Sequence, residues 1–433
     1  MRDIKKTEKM FYVWLLAQPF IDLFTSLDVR FEVLPISIGI ITRMLFLAAI
    51  SLYLILVCEK KYRIRNFIYL AFCGAYFVIF TVTKMHNNSM IFAEISSIIK
   101  FFYFPIVFLG LHFYFKEIDI DYKKLVNVYV VNLFVMAILL LIPLVTNTSF
   151  ASYTHNPELG SVGWFYAANE TGAIMILLFP FFFLRNYARI ESKMRFVLYA
   201  LFIVVSYLTS SLGTKVAFFG MIITSLCFLI YAVVAQMSSG KKQGNIKRFT
   251  AFLLIVCLIS PLSPATKNIR MTVQRMFGFE MDGGSPTAAL LSSRDLYLKS
   301  NWDNFSNSET IGQLFGIGFT VEESDGSTEL RKTVEIDAFD LLLSGGVVGT
   351  ILFLLPFVYI FIDKFKKIKI KNILRIRVFT FTIAFGLGFA VSFFAGHIFS
   401  APGVSTYMAI ILAGMVNFFT KEYDTVSPKT ESE

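Results

Sequence analysis

Runs of roughly 20 apolar residues recur from one end of this chain to the other, and no other feature restricts its fold as much. A stretch of that length crosses the hydrocarbon core of a bilayer as an α-helix. A helix satisfies its own backbone hydrogen bonds where water is absent. A large α/β protein with buried strands is the alternative, but these runs are too long and too numerous for strands. Composition agrees: of 433 residues, 56% are hydrophobic and only 16% charged, against about a quarter charged in soluble domains. The expected fold is all-α and polytopic, one membrane domain over residues 1–433.

Twelve spans are expected, near 11–27, 33–57, 67–83, 95–115, 125–145, 165–184, 196–209, 212–236, 249–263, 338–362, 374–396 and 401–419. The first and seventh are short and open to being tilted, broken or re-entrant. Alternate connections are basic: CEKKYRIRN, FKEIDIDYKK, RNYARIESKMR, SSGKKQGNIKR and DKFKKIKIKNILRIR. Such connections face the cytoplasm. Both termini then lie inside. The segment 265–337, net acidic and without a span, lies outside between spans 9 and 10. MRDIKKTEKM is basic, but the apolar run after it lacks a small-residue cleavage pattern and reads as a first span.

The net charge of +10 follows from this topology and from contact with anionic membrane lipids. No nucleic-acid recognition motif accompanies it. Cys58, Cys73, Cys227 and Cys257 sit in or beside spans, which supports neither a disulfide framework nor a thiolate metal site. His86, His112, His155 and His397 form no metal signature. No cofactor is implied. FGIGF lacks the lysine and the strand-turn-helix context of a nucleotide loop, and its glycines read as sharp turns. The glycines of SGGVVG read as close helix packing, and Gly283 and Gly284 as a flexible loop.

Four segments carry a resemblance. They are GWFYAANETGAIMILLFP at 163–180, LTSSLGTKVAFFGMII at 208–223, LLSSRDLYLKSNWDNFSNSETIGQLFGIGF at 290–319 and EIDAFDLLLSGGVVGTILFLLP at 335–356. In that order, with a large outer loop near the C-terminus, they resemble the O-antigen polymerase and ligase-like superfamily of integral membrane glycosyltransferases. The resemblance implies a GT-C-like fold in the bacterial plasma membrane. It also implies a polyprenyl-diphosphate-linked oligosaccharide as donor, with a lipid-glycan flippase and a chain-length regulator as candidate partners. The expected activity is polymerisation of lipid-linked repeats into capsule, exopolysaccharide or wall glycan. The alternatives are ligase-like transfer to another acceptor, or transport of the lipid-linked intermediate. The chain departs from ligase-like members in two places. Glu335-Ile336 stands where they commonly carry His-Asn, and Lys215 where an arginine is common.

Candidate site residues follow from the resemblance together with local chemistry. Leu291, Leu298, Trp302 and Phe305 recur at helical spacing, with Arg294 near the start of that helix. A guanidinium holds a diphosphate through paired charge-assisted bonds and stabilises charge on it as it leaves. Pairing of Arg294 with headgroups or with Asp295 is the plain alternative. Lys215 is either a donor contact or a snorkelling anchor. Arg43, at membrane depth, faces protein, cavity or headgroups, in an ion pair or against a diphosphate. Glu335, Asp337 and Asp340 lie at the mouth of the tenth span. They either take the proton of an acceptor hydroxyl or cap a helix N-terminus. Asn169 and Glu170 open the sixth span as further contacts, and Glu170 could instead pair with an external lysine. Trp164, Tyr166, Tyr297 and Trp302 pack against sugar or mark the interface belt.

Overall fold

The structure, a computed structural model, describes residues 2–34, 36–85, 90–153, 157–186, 195–239, 244–259, 270–271, 294–322, 328–365, 375–394, 396 and 398–424. His86, His155, His397, Leu291, Gly283 and Gly284 lie outside these residues, as do 265–269, 272–293 and 323–327 of the expected outer loop.

The described chain is almost entirely helical. The first six helices are α1 (Arg2–Phe31), α2 (Ile38–Leu52), α3 (Lys60–Met85), α4 (Ile91–Ile118), α5 (Tyr122–Val145) and α6 (Ala168–Asn186). Then come α7 (Arg195–Ser210), α8 (Lys215–Ser239) and α9 (Gly244–Ile259). Two short helices follow, α10 (Arg294–Ser306) and α11 (Thr310–Phe315), before α12 (Asp337–Phe365), α13 (Ile376–Phe394) and α14 (Pro402–Asp424). Two small antiparallel pairs join loops: β1 (Phe150–Ala151) with β2 (Ser161–Gly163), and β3 (Thr320–Glu322) with β4 (Thr328–Leu330).

Among the described residues, ten helices are long and apolar enough to cross a membrane: α1 to α6, α8 and α12 to α14, with α2 carried on by a π-helical turn over Tyr53–Val57 to a continuous span of 20 residues, Ile38–Val57. The seventh and ninth expected spans fall on α7 and α9, of 16 residues each. At 1.5 Å per residue each reaches about 24 Å, short of a hydrocarbon core of about 30 Å.

Burial sorts the bundle. Helices α6 and α14 are mostly buried and α4 largely so, whereas α2 and α3 expose much of their apolar surface. Phe104 and Phe108 of α4 stack on Phe357 of α12 at 5.3 and 5.0 Å between ring centroids. Phe183 of α6 stacks on Phe228 of α8 at 4.4 Å. Aromatic pairs add to their area burial in this way. Because lipid is as apolar as the side chains, buried polar groups also hold helices together. Asn132 of α5 donates to the Leu15 carbonyl and the Tyr407 hydroxyl at 2.8 and 3.0 Å. Tyr103 and Thr406 share a 2.8 Å bond, and Asn417 donates to the His112 carbonyl at 3.1 Å. All four cysteines are free thiols.

Helix α12 is broken at Gly346, whose φ of 65° and ψ of −176° are not helical. A break inside a membrane helix frees backbone groups that need other partners, and the described chain supplies them. Ile317 N–H donates to the Leu343 carbonyl at 2.9 Å. The Tyr76 hydroxyl of α3 donates to the Gly345 carbonyl at 2.6 Å, and Thr350 donates to the Gly346 carbonyl at 2.7 Å. The turn at Gly316 fits against this break: a Cβ on Gly316 would lie 2.0 Å from the Ser344 carbonyl oxygen. Thus FGIGF is packed backbone to backbone on a spanning helix, and α10, α11 and the β3–β4 pair form a cap over that end of the bundle.

Candidate functional site

A cavity of about 460 Å³ opens at the cap end, between α6, α8, α10, α13 and the turn before α12. Its polar lining is Arg294, Glu335, Lys215, Asn169 and Tyr153. Its walls are apolar, with Ile176, Phe219, Ile223, Leu387 and Phe394 among them. Four residues picked from separate stretches of sequence therefore share one space.

Arg294 is the first residue of α10 and is buried, its side chain only 9% exposed. It does not lie along a membrane surface, as a helix start beside lipid would allow. Leu298 and Phe305 pack against Val334, Ile336 and Leu343, which turns the start of α10 toward the cavity. Arg294 Nη2 donates to Glu335 Oε2 at 2.6 Å. Glu335 keeps 30% of its side chain exposed.

The three acids at the mouth of α12 are placed differently. Glu335 has a left-handed backbone, φ 60°, which is uncommon for a residue with a Cβ. Asp340 holds that conformation: its carboxylate accepts from Val334 N–H at 2.8 Å and Glu335 N–H at 2.9 Å. Gly396 presses on it from the other side, where a Cβ would lie 2.5 Å from the Glu335 carbonyl carbon and oxygen. Asp337 is buried and accepts from Ile398 N–H at 2.9 Å and Phe399 N–H at 3.2 Å, tying the mouth of α12 to the turn before α14. Asp337 and Asp340 thus satisfy backbone donors, and both sit in the first turn of the helix, where negative charge suits the helix dipole.

Lys215 opens α8. The preceding Thr214 accepts the Ala217 N–H at 3.2 Å and caps that helix. The SSLGTK hairpin meets the loop before α6 directly: Ser161 N–H donates to the Ser211 carbonyl at 2.8 Å. Trp302 is 44% exposed on α10 and does not line the cavity.

A second cavity, of about 380 Å³, lies on the other side of α6 among α1, α2, α4 and α14. It holds Arg43 and Glu170 together with Asp22 and Lys100. Arg43 forms a buried ion pair with Asp22. Adjacent residues of α6 line different cavities, Asn169 the first and Glu170 the second. Sequence reasoning passed over Asp22 and Lys100, although both are charges inside apolar runs, which is itself a functional signal. Tyr153 left no such mark.

Chemically, the first cavity brings a fork-shaped cation, a second cation and a partly exposed carboxylate to an apolar-walled space. That set suits a charged head group on an apolar tail. Among the described residues, no cluster of His, Cys, Asp and Glu has the makings of a metal site.

Among curated proteins, none matches the chain. Residues 4–278 and 279–422 match the family described as O-antigen ligase like membrane protein. The match fits the ligase-like alternative better than the polymerase reading, and it accords with glycan transfer in surface-polysaccharide synthesis. Covering nearly the whole helical bundle and both cavities, it establishes that the chain belongs to the O-antigen ligase-like family of membrane proteins.

Proposed function

We propose that this protein is a glycosyltransferase that moves a glycan from a polyprenyl-diphosphate carrier to an acceptor hydroxyl, at the outer face of the bacterial cytoplasmic membrane. The observation that carries the reading is the Arg294–Glu335 pair on the wall of a cavity that also holds Lys215 and Asn169. The apolar walls take the first isoprene units, and Arg294 and Lys215 take the diphosphate. The acceptor oxygen attacks the anomeric carbon, the bond from that carbon to the diphosphate oxygen breaks, and Glu335 takes the hydroxyl proton. Arg294 and Lys215 stabilise the charge gathering on the leaving diphosphate. Asn169 orients the sugar. Asp340 and Asp337 hold the turn that aims Glu335. Arg43 and Glu170, in the second cavity, belong to the acceptor side of α6.

The topology that goes with this reading has twelve spans in a GT-C-like arrangement, α7 and α9 completing the count. Both termini are cytoplasmic and 265–337 is outside. A flippase supplies the donor, and a chain-length regulator acts on the product.

The ligase-like acceptor is the leading choice, supported by the family match. Polymerisation is the second reading, favoured by Glu335-Ile336 at the position where ligase-like members commonly carry His-Asn. Purified protein in liposomes, given lipid-linked oligosaccharide alone, separates them. Chain extension with release of polyprenyl diphosphate marks a polymerase. Release that needs a different added acceptor marks a ligase. Movement of the intermediate across the bilayer with no release marks a transporter and removes the transferase reading.

A further inference from the structure

Arg331 lies in the cap between β4 and the mouth of α12, and it touches neither cavity. It is nonetheless buried, 7% exposed. Burying a guanidinium is costly unless its donors are used, and here they are spread over three different elements. Nε donates to the Gly318 carbonyl at 3.1 Å, in the turn that packs near the α12 break. Nη1 donates to Asn301 Oδ1 of α10 at 2.6 Å. Nη2 donates to the Ser344 hydroxyl of α12.

Each partner is held in turn. Asn301 donates to the Lys332 carbonyl at 3.0 Å, which closes a loop between α10 and the chain beside Arg331. Gly318 belongs to a turn anchored on the bundle. The Glu94 carboxylate of α4 accepts Phe319 N–H at 2.9 Å and Thr320 N–H at 2.8 Å. Lys84 of α3 donates to the Gly316 carbonyl at 2.9 Å. A continuous chain of bonds therefore runs from spanning helices α3 and α4, through the FGIGF turn and Arg331, to α10. Arg294 starts that helix, and Glu335 follows Arg331 by four residues on the segment leading into α12.

We infer that Arg331 is a positioning residue: it locks α10 to the mouth of α12, and so fixes Arg294 relative to Glu335. The inference rests on the transferase reading above for its catalytic consequence. Its mechanical part does not. Burial pushes the Arg331 guanidinium down from its ordinary value, with Asp340 and Glu94 pulling the other way. A planar fork meets three fixed acceptors where a lysine would meet one or two.

The test uses full-length protein in liposomes, with Cys58, Cys73, Cys227 and Cys257 replaced by alanine. Spin labels go on Leu296→Cys of α10 and Val347→Cys of α12, which are 65% and 42% exposed. In the otherwise native chain the label-to-label distance distribution is narrow, and in Arg331→Ala it broadens. In unlabelled protein Arg331→Ala lowers kcat on the order of 10- to 100-fold, as expected for misplaced reacting groups, with little change in KM for the lipid-linked donor. Asn301→Leu cuts the same link from the α10 side and carries the test if Arg331→Ala does not reach the membrane. Asn301→Asp keeps the acceptor for Arg331 but loses the donor to the Lys332 carbonyl, and so recovers only part of the rate. An unchanged distance distribution overturns the inference, and so does a raised KM with kcat intact. A native protein that transfers no glycan overturns the transferase reading and the catalytic part of this inference, and the label distances then decide the mechanical part alone.

Discussion

Arg294 and Glu335, 41 residues apart in sequence, meet through a 2.6 Å bond between Nη2 and Oε2. Two different devices produce the meeting. The apolar face of α10 packs on Val334, Ile336 and Leu343, which places the guanidinium. Asp340 and Gly396 fix a left-handed backbone at Glu335, which places the carboxylate. Backbone strain of this kind persists where surrounding structure enforces it, and functional sites are common among such places.

Replacing Arg294 tests the diphosphate role. Arg294→Ala lowers glycan transfer on the order of 10²- to 10³-fold, the loss typical of removing one preorganised donor to developing charge. Arg294→Lys recovers only part of the rate, because an ammonium lacks the paired fork. The measurement is polyprenyl diphosphate released per minute, at matched protein amount in the membrane.

Gly396 is expected to tolerate no side chain. Gly396→Ala places a methyl group 2.5 Å from the Glu335 carbonyl and forces alanine into φ 61°. The backbone term alone costs about 1–2 kcal/mol. Thermal unfolding in detergent should shift downward, and transfer should fall with it. Asp340→Asn, which keeps the shape but replaces one acceptor oxygen with a donor, should lower transfer with a smaller thermal shift.

The Arg43–Asp22 pair is buried, with side chains 8% and 14% exposed. Removing one partner strands a charge, at a cost of roughly 3–5 kcal/mol. Arg43→Met and Asp22→Leu should each destabilise the protein in detergent melting, and the double variant should recover much of the loss. If the double variant is stable and fully active, Arg43 is structural alone and the second cavity loses its acceptor role.

The topology is checked with single-cysteine reporters in a background without the native cysteines. Reporters at Ser285 and Ser327 should react with an impermeant thiol reagent in intact cells. Reporters at Lys242 and Lys369 should react only after permeabilisation. External labelling at Lys369 contradicts the twelve-span arrangement.

Helix type and position were legible because a bilayer imposes length and apolarity on every crossing segment, and ten such helices stand near ten of the expected spans. The seventh and ninth were harder, since an apolar run of the length of α7 or α9 fits a crossing or a buried helix equally well. Lys215, Asn169 and Glu335 could be picked out as polar groups at span mouths, and Arg294 at the start of a short helix in the outer loop, through the family resemblance together with local chemistry, but their shared cavity could not. It depends on α10 docking on α12, a contact that no local pattern encodes. Asp337 and Asp340 looked interchangeable with Glu335 in sequence. Only their partners, Ile398 and Phe399 in one case and Val334 and Glu335 in the other, tell the three apart. Arg331 left no signal, because its meaning lies wholly in three distant acceptors.

The most direct test of the account is single-turnover transfer by Glu335→Gln in liposomes, alongside binding of the lipid-linked donor. Glutamine keeps the shape and can still accept a bond from Arg294, but it is a far poorer proton acceptor. The account predicts donor binding close to that of the native protein and transfer reduced on the order of 10²- to 10⁴-fold, the range for loss of a general base. Transfer at the native rate by Glu335→Gln would contradict it.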